Sequence, residues 1–328
     1  MKRRSFLALA SAAVASRTFA APLSRAPLAS APSSLLAPSV VRFIAFGDAG
    51  TGDDQQLELA RVMARQQASQ AFDTALLLGD NIYPDGDLAN VAGKFEKPYA
   101  DLLHNGVKFR AVLGNHDVKK GRDQQLKYPH FGMNGRSYYS FTQGTHGDVP
   151  LVEFFALDSN AFDGPQQQWV TGALSASRAR WKVVYFHHPI YSSGDKHGSD
   201  ESLRAKLEPL LVKHGVTAVF SGHDHIYERT KPLQGVQYFV AGAGGKLRKG
   251  DLNRNSSFMA FGSDETSSFM SVEATPDKFS FQALDTAGKV IDSGEMAPRV
   301  RAATASQFDK ESLRRFAVAY PANFAPSF

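Results

Sequence analysis

The stretch TAVFSGHDHIYER (217–229) joins an apolar run to a polar segment in which His223 and His225 are two residues apart. The apolar run predicts a buried strand, so the polar segment lies where that strand ends. A polar loop that happens to contain histidine would explain this segment. A metal site would explain it too, because a His-x-His pair after a strand can bring both imidazoles to one place.

The same arrangement of apolar run and polar motif occurs four more times. Runs at 40–46, 74–78, 107–113 and 181–186 lead into GDAG (47–50), GDNIYPDG (79–86), GNHD (114–117) and HHP (187–189). Two further apolar runs lie at 151–157 and 236–242. Runs of this length are typical of strands that are buried on both faces.

Helical patterns separate several of these runs, at 53–68, 165–177 and 199–215. Alternation of strands and helices predicts an α/β fold. Over 267–295 apolar and polar residues alternate between turn signals, which predicts a strand meander that closes the domain. We therefore expect one folded domain over 40–298. We expect residues 299–328 to form a tail, in which 306–317 would fit one surface helix.

Residues 1–21 have the pattern of an export signal, with a basic start, a short apolar run and small residues at the end. The apolar run is too short for a transmembrane span. RRSFL (3–7) is typical of a twin-arginine signal, and an ordinary secretory signal with two arginines is the alternative. We expect cleavage after Ala20 or Ala21 by the export machinery and then a linker rich in Ala, Pro and Ser over 22–39. The mature protein would be periplasmic or secreted, without an integral membrane segment.

The charge and the cysteine count exclude several classes of protein. The formal net charge is +5, and residues 1–20 hold four basic residues and no acidic one, so removing them leaves +1. A nearly neutral chain gives no electrostatic reason to expect nucleic-acid binding. The chain has no cysteine, so any metal must be bound by His, Asp, Glu, Asn or Tyr.

Each of the five polar motifs is weak evidence when it is taken alone. GDxG is a common turn, and HHP is usually a surface or packing feature. Ligands of α/β sheets, however, bind beyond the carboxyl ends of the strands, so five motifs at five such ends would converge on one crevice. The ordered set is therefore informative where its members are not.

The set GDAG, GDNIYPDG, GNHD, HHP and GHDH resembles the calcineurin-like metallophosphoesterase superfamily over about residues 40–295. GDNIY resembles the purple acid phosphatases, in which this tyrosinate binds Fe(III), and HIYER is similar to their plant members. The resemblance implies a four-layer αββα sandwich with a single catalytic domain. It also implies an acid phosphatase that hydrolyses phosphomonoesters by direct attack of a metal-bound hydroxide, and the signal pattern over 1–21 would make it an exported enzyme.

Carried over position by position, the resemblance implies a binuclear metal centre. The first metal would be bound by Asp48, Asp80, Tyr83 and His225. The second metal would be bound by Asp80, Asn115, His187 and His223. Oxygen ligands with a phenolate suit Fe(III), whereas imidazole, amide and carboxylate suit Fe(II), Zn or Mn. The two histidines of the first stretch would thus serve different ions.

An alkyl phosphate also needs a proton donor for its leaving alkoxide. His116 is the expected donor, and we expect Asp117 beside it to orient the His116 ring. His197 is a second expected catalytic residue, because small family members carry a substrate-facing histidine at a similar offset after the ligand His187. An exposed loop histidine is the alternative. His188 is interpreted as a supporting or packing residue.

Two alternatives to a phosphomonoesterase stay open at this point. A phosphodiesterase or nucleotidase on the same fold would carry similar motifs, although most of these enzymes lack a tyrosine ligand. A non-catalytic metal- or phosphate-binding protein is the other alternative. The presence of all seven ligand positions together with His116 argues against it.

Overall fold

The elements below come from a computed structural model that describes residues 40–298. The predicted export signal (1–21), linker (22–39) and C-terminal tail (299–328) lie outside the described residues. The strands are β1 (Val41–Phe46), β2 (Thr74–Leu77), β3 (Lys108–Ala111), β4 (Tyr139–His146), β5 (Val149–Ala156), β6 (Trp181–Tyr185), β7 (Ala218–Ser221), β8 (Tyr227–Thr230), β9 (Gln237–Ala241), β10 (Met259–Ser263), β11 (Ser268–Ala274), β12 (Phe279–Asp285) and β13 (Val290–Met296).

The helices lie mostly between the strands. They are α1 (Asp54–Ser69), α2 (Ala100–His104), α3 (Asp117–Lys120), α4 (Arg122–Lys127), α5 (Gly164–Ala176) and α6 (Glu201–Lys213). The three long helices, α1, α5 and α6, each begin after an aspartate whose side chain accepts a hydrogen bond from a backbone N–H of the first turn. Such a cap stabilises a helix by about 1 kcal/mol. These three are the helices that the sequence predicts.

The strands form two sheets of mixed direction. The first sheet has the order β13-β12-β11-β1-β2-β3, in which β1, β2 and β3 are parallel and β11–β13 add the predicted antiparallel meander. The second sheet has the order β10-β8-β9-β7-β6-β5-β4, in which β5, β6, β7 and β9 are parallel. Every apolar run named above coincides with one of these strands. The strands β4 and β10 follow no continuous apolar run, because both lie at sheet edges and are only partly buried. β8 follows none either, although it is mostly buried, because its buried residues include polar ones.

The two sheets pack face to face through aromatic side chains. The ring of Phe43 in β1 lies edge-on to Phe154 of β5 and Phe220 of β7, at centroid distances of 5.0 and 5.9 Å. Helix α1 buries Leu59 and Met63 against the first sheet. Helices α5 and α6 pack on the second sheet in a separate apolar cluster. Burial of each large apolar side chain contributes about 1.5–3 kcal/mol. The α/β prediction and the four-layer order are confirmed.

The carboxyl ends of β1, β2 and β3 in one sheet meet those of β6 and β7 in the other. Backbone hydrogen bonds join neighbouring ends, as between Gly222 N and the His187 carbonyl at 3.0 Å, and between Asp48 N and the Gly79 carbonyl at 3.0 Å. All five polar motifs therefore lie at one end of the sandwich. Among residues 40–298, no helix has the length and apolar character that crossing a bilayer requires.

Candidate metal centre

Three residues at these strand ends have left-handed backbone conformations although none is glycine. The φ angles are 56° at Asp48, 53° at Asp80 and 71° at His223. Such conformations are uncommon outside glycine and concentrate at functional sites. Here they turn the side chains back over the edge where the two sheets meet.

Asp48 lies at the centre of one group of side chains. It is fully buried, and its Oδ1 accepts a hydrogen bond from the Tyr83 hydroxyl at 3.0 Å. His225 Nε2 lies 3.2 Å from the same hydroxyl oxygen and 3.5 Å from Asp48 Oδ1. The other oxygen, Oδ2, accepts from the backbone N–H of His223 at 2.7 Å. Three of the residues predicted for the first metal therefore lie together.

His187 lies at the centre of a second group. Its Nε2 is 3.0 Å from Asn115 Oδ1 and 3.2 Å from His223 Nδ1. Its Nδ1 lies 2.8 Å from the Leu78 carbonyl oxygen, which can only accept, so Nδ1 carries the proton. This bond leaves the lone pair of Nε2 facing the group, as in histidines that bind metals.

Asp80 lies between the two groups. Its Oδ1 is 3.6 Å from His187 Nε2 and accepts a hydrogen bond from the backbone N–H of His116 at 2.8 Å. One carboxylate oxygen each from Asp48 and Asp80 and one ring nitrogen of His187 all lie within 4.8 Å of one another. Asp80 is therefore close to both the Asp48 group and the His187 group, where a shared ligand belongs.

The histidines of the cluster are held in the neutral form that metal binding requires. Burial lowers the pKa of His187 well below its usual value. Burial, followed by the neighbouring His187, lowers the pKa of His223 to about 2. Burial, followed by Arg248, lowers the pKa of His225 to about 4. All three rings therefore have a lone pair available at neutral pH.

The oxygen donors repel one another when they are ionised. Burial and then the charge of Asp80 raise the pKa of Asp48 well above its usual value. Burial and then the charges of Asp48 and Asp80 raise the pKa of the Tyr83 phenol far above its usual value. A cation at this point would offset both effects. The donors are hard oxygens and imidazoles without sulfur, and they fit Fe, Zn or Mn.

His116 lies at the rim of the cluster, with 28% of its side chain exposed. Its Nδ1 lies 2.5 Å from the Pro84 carbonyl oxygen and 3.1 Å from the Lys119 ammonium nitrogen, and these contacts fix the orientation of the ring. Its Nε2 is 3.9 Å from Asp80 Oδ2, and its ring packs edge-on to Tyr83 at 4.7 Å between centroids. The second ring nitrogen thus faces the cluster, as expected for a proton donor to a bound ester.

The expectation that Asp117 orients the His116 ring is not met. The ring is held by Pro84, and Asp117 points into the protein, where it is fully buried. Asp117 opens α3, and successive residues of a helix do not face the same way. Its carboxylate accepts hydrogen bonds from the backbone N–H groups of Asn81, Ile82 and Gly114 and from the side chains of Asn81 and Gln125. Asp117 therefore fixes the two motif loops to each other.

His197 comes from the long connection between β6 and α6. Its ring centroid lies 4.2 Å from that of His223, with 37° between the ring planes. The structure thus brings His197 to the side of the cluster formed by His187 and His223, although the sequence left open that it is an ordinary loop histidine.

Two further residues lie at the site: His188, which is interpreted above as a supporting or packing residue, and Asp224, which was not predicted from the sequence. His188 has a ring nitrogen within 4.8 Å of ring nitrogens of His187 and His223, and its Nδ1 lies 2.8 Å from Ser159 Oγ. Asp224, between His223 and His225, is fully buried behind the cluster. The doubled histidine of HHP and the acid inside GHDH were the available signals.

Two packed sheets bring carboxylates, imidazoles and a phenol to one edge, and this donor set fits the metal-dependent hydrolysis of phosphate esters. Residues 41–227 match the family of calcineurin-like phosphoesterases, and the chain belongs to that family. The protein is accordingly a metal-dependent phosphoric ester hydrolase.

The chain is similar to proteins named purple acid phosphatase and tartrate-resistant acid phosphatase. Purple acid phosphatase 17 of Arabidopsis thaliana is 28% identical over 242 residues, which cover 65% of this chain and 71% of the relative. Tartrate-resistant acid phosphatase type 5 of Sus scrofa is 26% identical over 306 residues, which cover 80% and 88%. Among solved structures, GAP50, the anchor in the inner membrane complex of Plasmodium, has a TM-score of 0.69. It is 20% identical and is matched over 88% of this chain and 98% of its own, a likeness of fold alone.

Proposed function

We propose that this phosphoesterase is a binuclear acid phosphatase of the purple acid phosphatase type that hydrolyses phosphomonoesters. The observation that carries the proposal is the Tyr83 hydroxyl, which lies 3.0 Å from Asp48 Oδ1 and 3.2 Å from His225 Nε2. The phenolate of Tyr83 would be a ligand for Fe(III) in this position, and its surroundings disfavour ionisation of the phenol unless a cation is bound.

The seven predicted ligands divide into the two groups described above. Asp48, Tyr83 and His225 would bind one ion. Asn115, His187 and His223 would bind the other, and Asp80 would be shared. When bound, the ions supply Lewis acidity toward water and toward the phosphoryl oxygens, with Fe(III) at the first position and Fe(II), Zn or Mn at the second.

The protein's own groups complete the reaction. His116 would transfer the proton on Nε2 to the leaving oxygen of the ester, so that the product departs as a neutral alcohol. Burial lowers the pKa of His197, which favours the neutral ring with one N–H to donate. It would donate that N–H to a phosphoryl oxygen on the side of the cluster where His223 lies.

The test of this function combines metal analysis with two substrates. We expect two metals per chain including iron, and an absorption band at about 500–560 nm. We also expect p-nitrophenyl phosphate, a monoester, to be hydrolysed faster than the diester bis(p-nitrophenyl) phosphate. Colourless protein that prefers the diester would overturn the proposal in favour of a phosphodiesterase or nucleotidase. Protein that binds metal or phosphate without hydrolysing either substrate would favour a binding protein.

We also propose that residues 1–21 direct export to the periplasm or the medium, on the basis of the RRSFL (3–7) pattern. Replacing both arginines by lysine should retain the full-length precursor inside the cell, because twin-arginine export requires the pair. A wild-type level of mature protein outside the cytoplasm from this variant would instead indicate an ordinary secretory signal.

A further inference from the structure

The segment 187–200, between β6 and α6, carries His197 to the cluster without regular secondary structure. Apart from an isolated bridge between Gly194 and Leu252, no strand pairing supports it within the part of the chain that is described. The ring of His197 nevertheless packs against His223. At this bridge Asp195 N donates to the Asp251 carbonyl at 2.7 Å and Asn253 N donates to the Ser193 carbonyl at 2.8 Å. The contacts that hold the part of the loop with His197 come from side chains.

Asp224 supplies two of the contacts that hold the loop. Its Oδ2 accepts a hydrogen bond from Ser192 Oγ at 2.5 Å and another from the backbone N–H of Gly198 at 3.1 Å. These two donors lie on either side of His197 in the chain. One buried carboxylate thus ties together both ends of the segment that presents the histidine.

The loop also packs directly on this carboxylate. A Cβ added at Gly194 would lie 2.6 Å from the carboxyl carbon of Asp224, so only a glycine allows the observed approach. Ser192 and Ser199 close the base of the loop, since the hydroxyl of Ser199 accepts from Ser192 N at 3.0 Å and donates to the Ser192 carbonyl at 3.2 Å. The carboxylate and the loop therefore fit each other closely.

A second buried acid holds the next residue of the loop. Glu228, in β8, accepts hydrogen bonds from the backbone N–H of Ser193 at 2.6 Å and from its hydroxyl at 2.5 Å. Asp224 lies in the turn that carries the ligand histidines, and Glu228 lies in β8, directly after that turn. The two acids therefore bind two consecutive residues of the loop, Ser192 and Ser193. Hydrogen bonds to carboxylates are about twice as strong as bonds between neutral groups.

We propose that Asp224 is a positioning residue for catalysis, whose carboxylate locks the loop 192–199 to the ligand turn so that His197 stays at the phosphoryl-binding side of the cluster. The inference rests on the proposed function, because it gives His197 a substrate to contact. Asp224 itself reaches neither substrate nor metal in this scheme. It acts through Ser192, through Gly198 and finally through the His197 ring.

The decisive variant is Ser192→Ala, because it removes the Asp224 contact from the loop side and leaves the ligand turn unaltered. We expect kcat/KM for p-nitrophenyl phosphate to fall roughly 10- to 100-fold, as misplacement of a catalytic group by about 1 Å does. Metal content and the visible spectrum should stay at the wild-type level. Asp224→Asn should also lower kcat/KM roughly 10- to 100-fold when the purified variant is folded and has its full metal content.

The double variant Ser192→Ala/His197→Ala separates positioning from a general structural role. If Ser192 acts through His197, adding Ser192→Ala to His197→Ala lowers kcat/KM no further. The fold-losses in kcat/KM of the two single variants are then not multiplied in the double variant. Multiplied losses would overturn the proposal, and so would an unchanged kcat/KM in Ser192→Ala or in His197→Ala.

A matched control is Ser221→Ala, which removes a buried serine hydroxyl at the end of β7 that bonds the Phe239 carbonyl and not the loop. Its activity should stay near wild type. If wild-type protein itself hydrolyses no phosphomonoester, the proposed function fails. If wild-type protein is active and the losses multiply, the proposed function stands and only the positioning role is refuted.

Discussion

The Tyr83 hydroxyl donates a hydrogen bond of 3.0 Å to Oδ1 of Asp48, and both side chains are buried. In this arrangement the phenol is neutral, since burial and two nearby carboxylates raise its pKa. A phenolate would form only if a cation replaced the hydroxyl proton between Tyr83, Asp48 and His225. The proposal that Tyr83 binds Fe(III) therefore requires the loss of its hydroxyl proton.

Tyr83→Phe should abolish any absorption band in the visible region while leaving the protein folded. The substitution removes the phenolate that would give the colour and keeps the ring that packs against His116. The free energy of unfolding should change by about 1 kcal/mol, the net value of one hydrogen bond. A visible spectrum together with urea unfolding measures both effects. Retention of the colour in a folded variant would refute the tyrosine ligand.

Gly114→Ala should lower the metal content of both proposed positions. A Cβ at residue 114 would lie 2.2 Å from Oδ1 of Asp80, the carboxylate that we assign to both ions, and 2.3 Å from its backbone nitrogen. Asp80 would have to move, and both ions would lose a ligand. Metal analysis by mass spectrometry after gel filtration measures the loss.

The matched control for that experiment is Gly93→Ala, because nothing lies within 4 Å of a Cβ at residue 93. The control should keep its full metal content. Two metals per chain and wild-type activity in Gly114→Ala would contradict the placement of Asp80 as the shared ligand.

The sequence predicts the strands that carry the site because each is a continuous apolar run, as TALLL shows at β2. It does not show that β1–β3 and β6–β7 belong to different sheets, since buried parallel strands look alike in either sheet. β8 was missed for a different reason. Its polar residues Tyr227 and Arg229 are satisfied by Asp292 of β13, at 2.8 and 2.7 Å, and that partner is more than sixty residues away.

The ligand positions could be named from motifs because each motif fixes a residue type at a strand end. The sequence does not show in which direction the side chains next to these ligands point. Asp117 follows His116 and Asp224 follows His223, yet both acids point away from the cluster and into the protein. Adjacent residues in a tight turn or a first helical turn face different sides, so only the folded backbone shows their contacts.

His116→Ala should lower the turnover of alkyl phosphates far more than that of p-nitrophenyl phosphate. An alkoxide needs the proton that Nε2 would supply, whereas nitrophenolate leaves without it, and a general acid contributes about 10²- to 10⁴-fold. The measurement is kcat for both substrates with the variant and with His146→Ala, a control at the exposed end of β4. Equal losses on the two substrates would refute His116 as the acid.

Glu228→Gln should change how the stability of the protein depends on pH. Burial raises the pKa of Glu228 from 4.5 to about 7. Because the folded-state pKa is the higher one, the folded protein holds an extra proton between these values, and the contribution of Glu228 to stability is lost as the pH rises from 4.5 through 7. The loss amounts to at most about 3 kcal/mol, from 1.36 kcal/mol per pKa unit.

Glutamine keeps a side-chain oxygen that can accept from Ser193 and does not ionise, so the variant should lack this loss. Urea unfolding of both proteins at pH 5 and pH 8 measures it, and the variant should gain stability relative to wild type at the higher pH. Since Glu228 is assigned to no metal, contributions of bound ions largely cancel between the two proteins. Glu58→Gln on the exposed face of α1 is the control and should show no such gain. An identical difference between pH 5 and pH 8 in wild type and Glu228→Gln would show that Glu228 is ionised in the folded protein throughout this range.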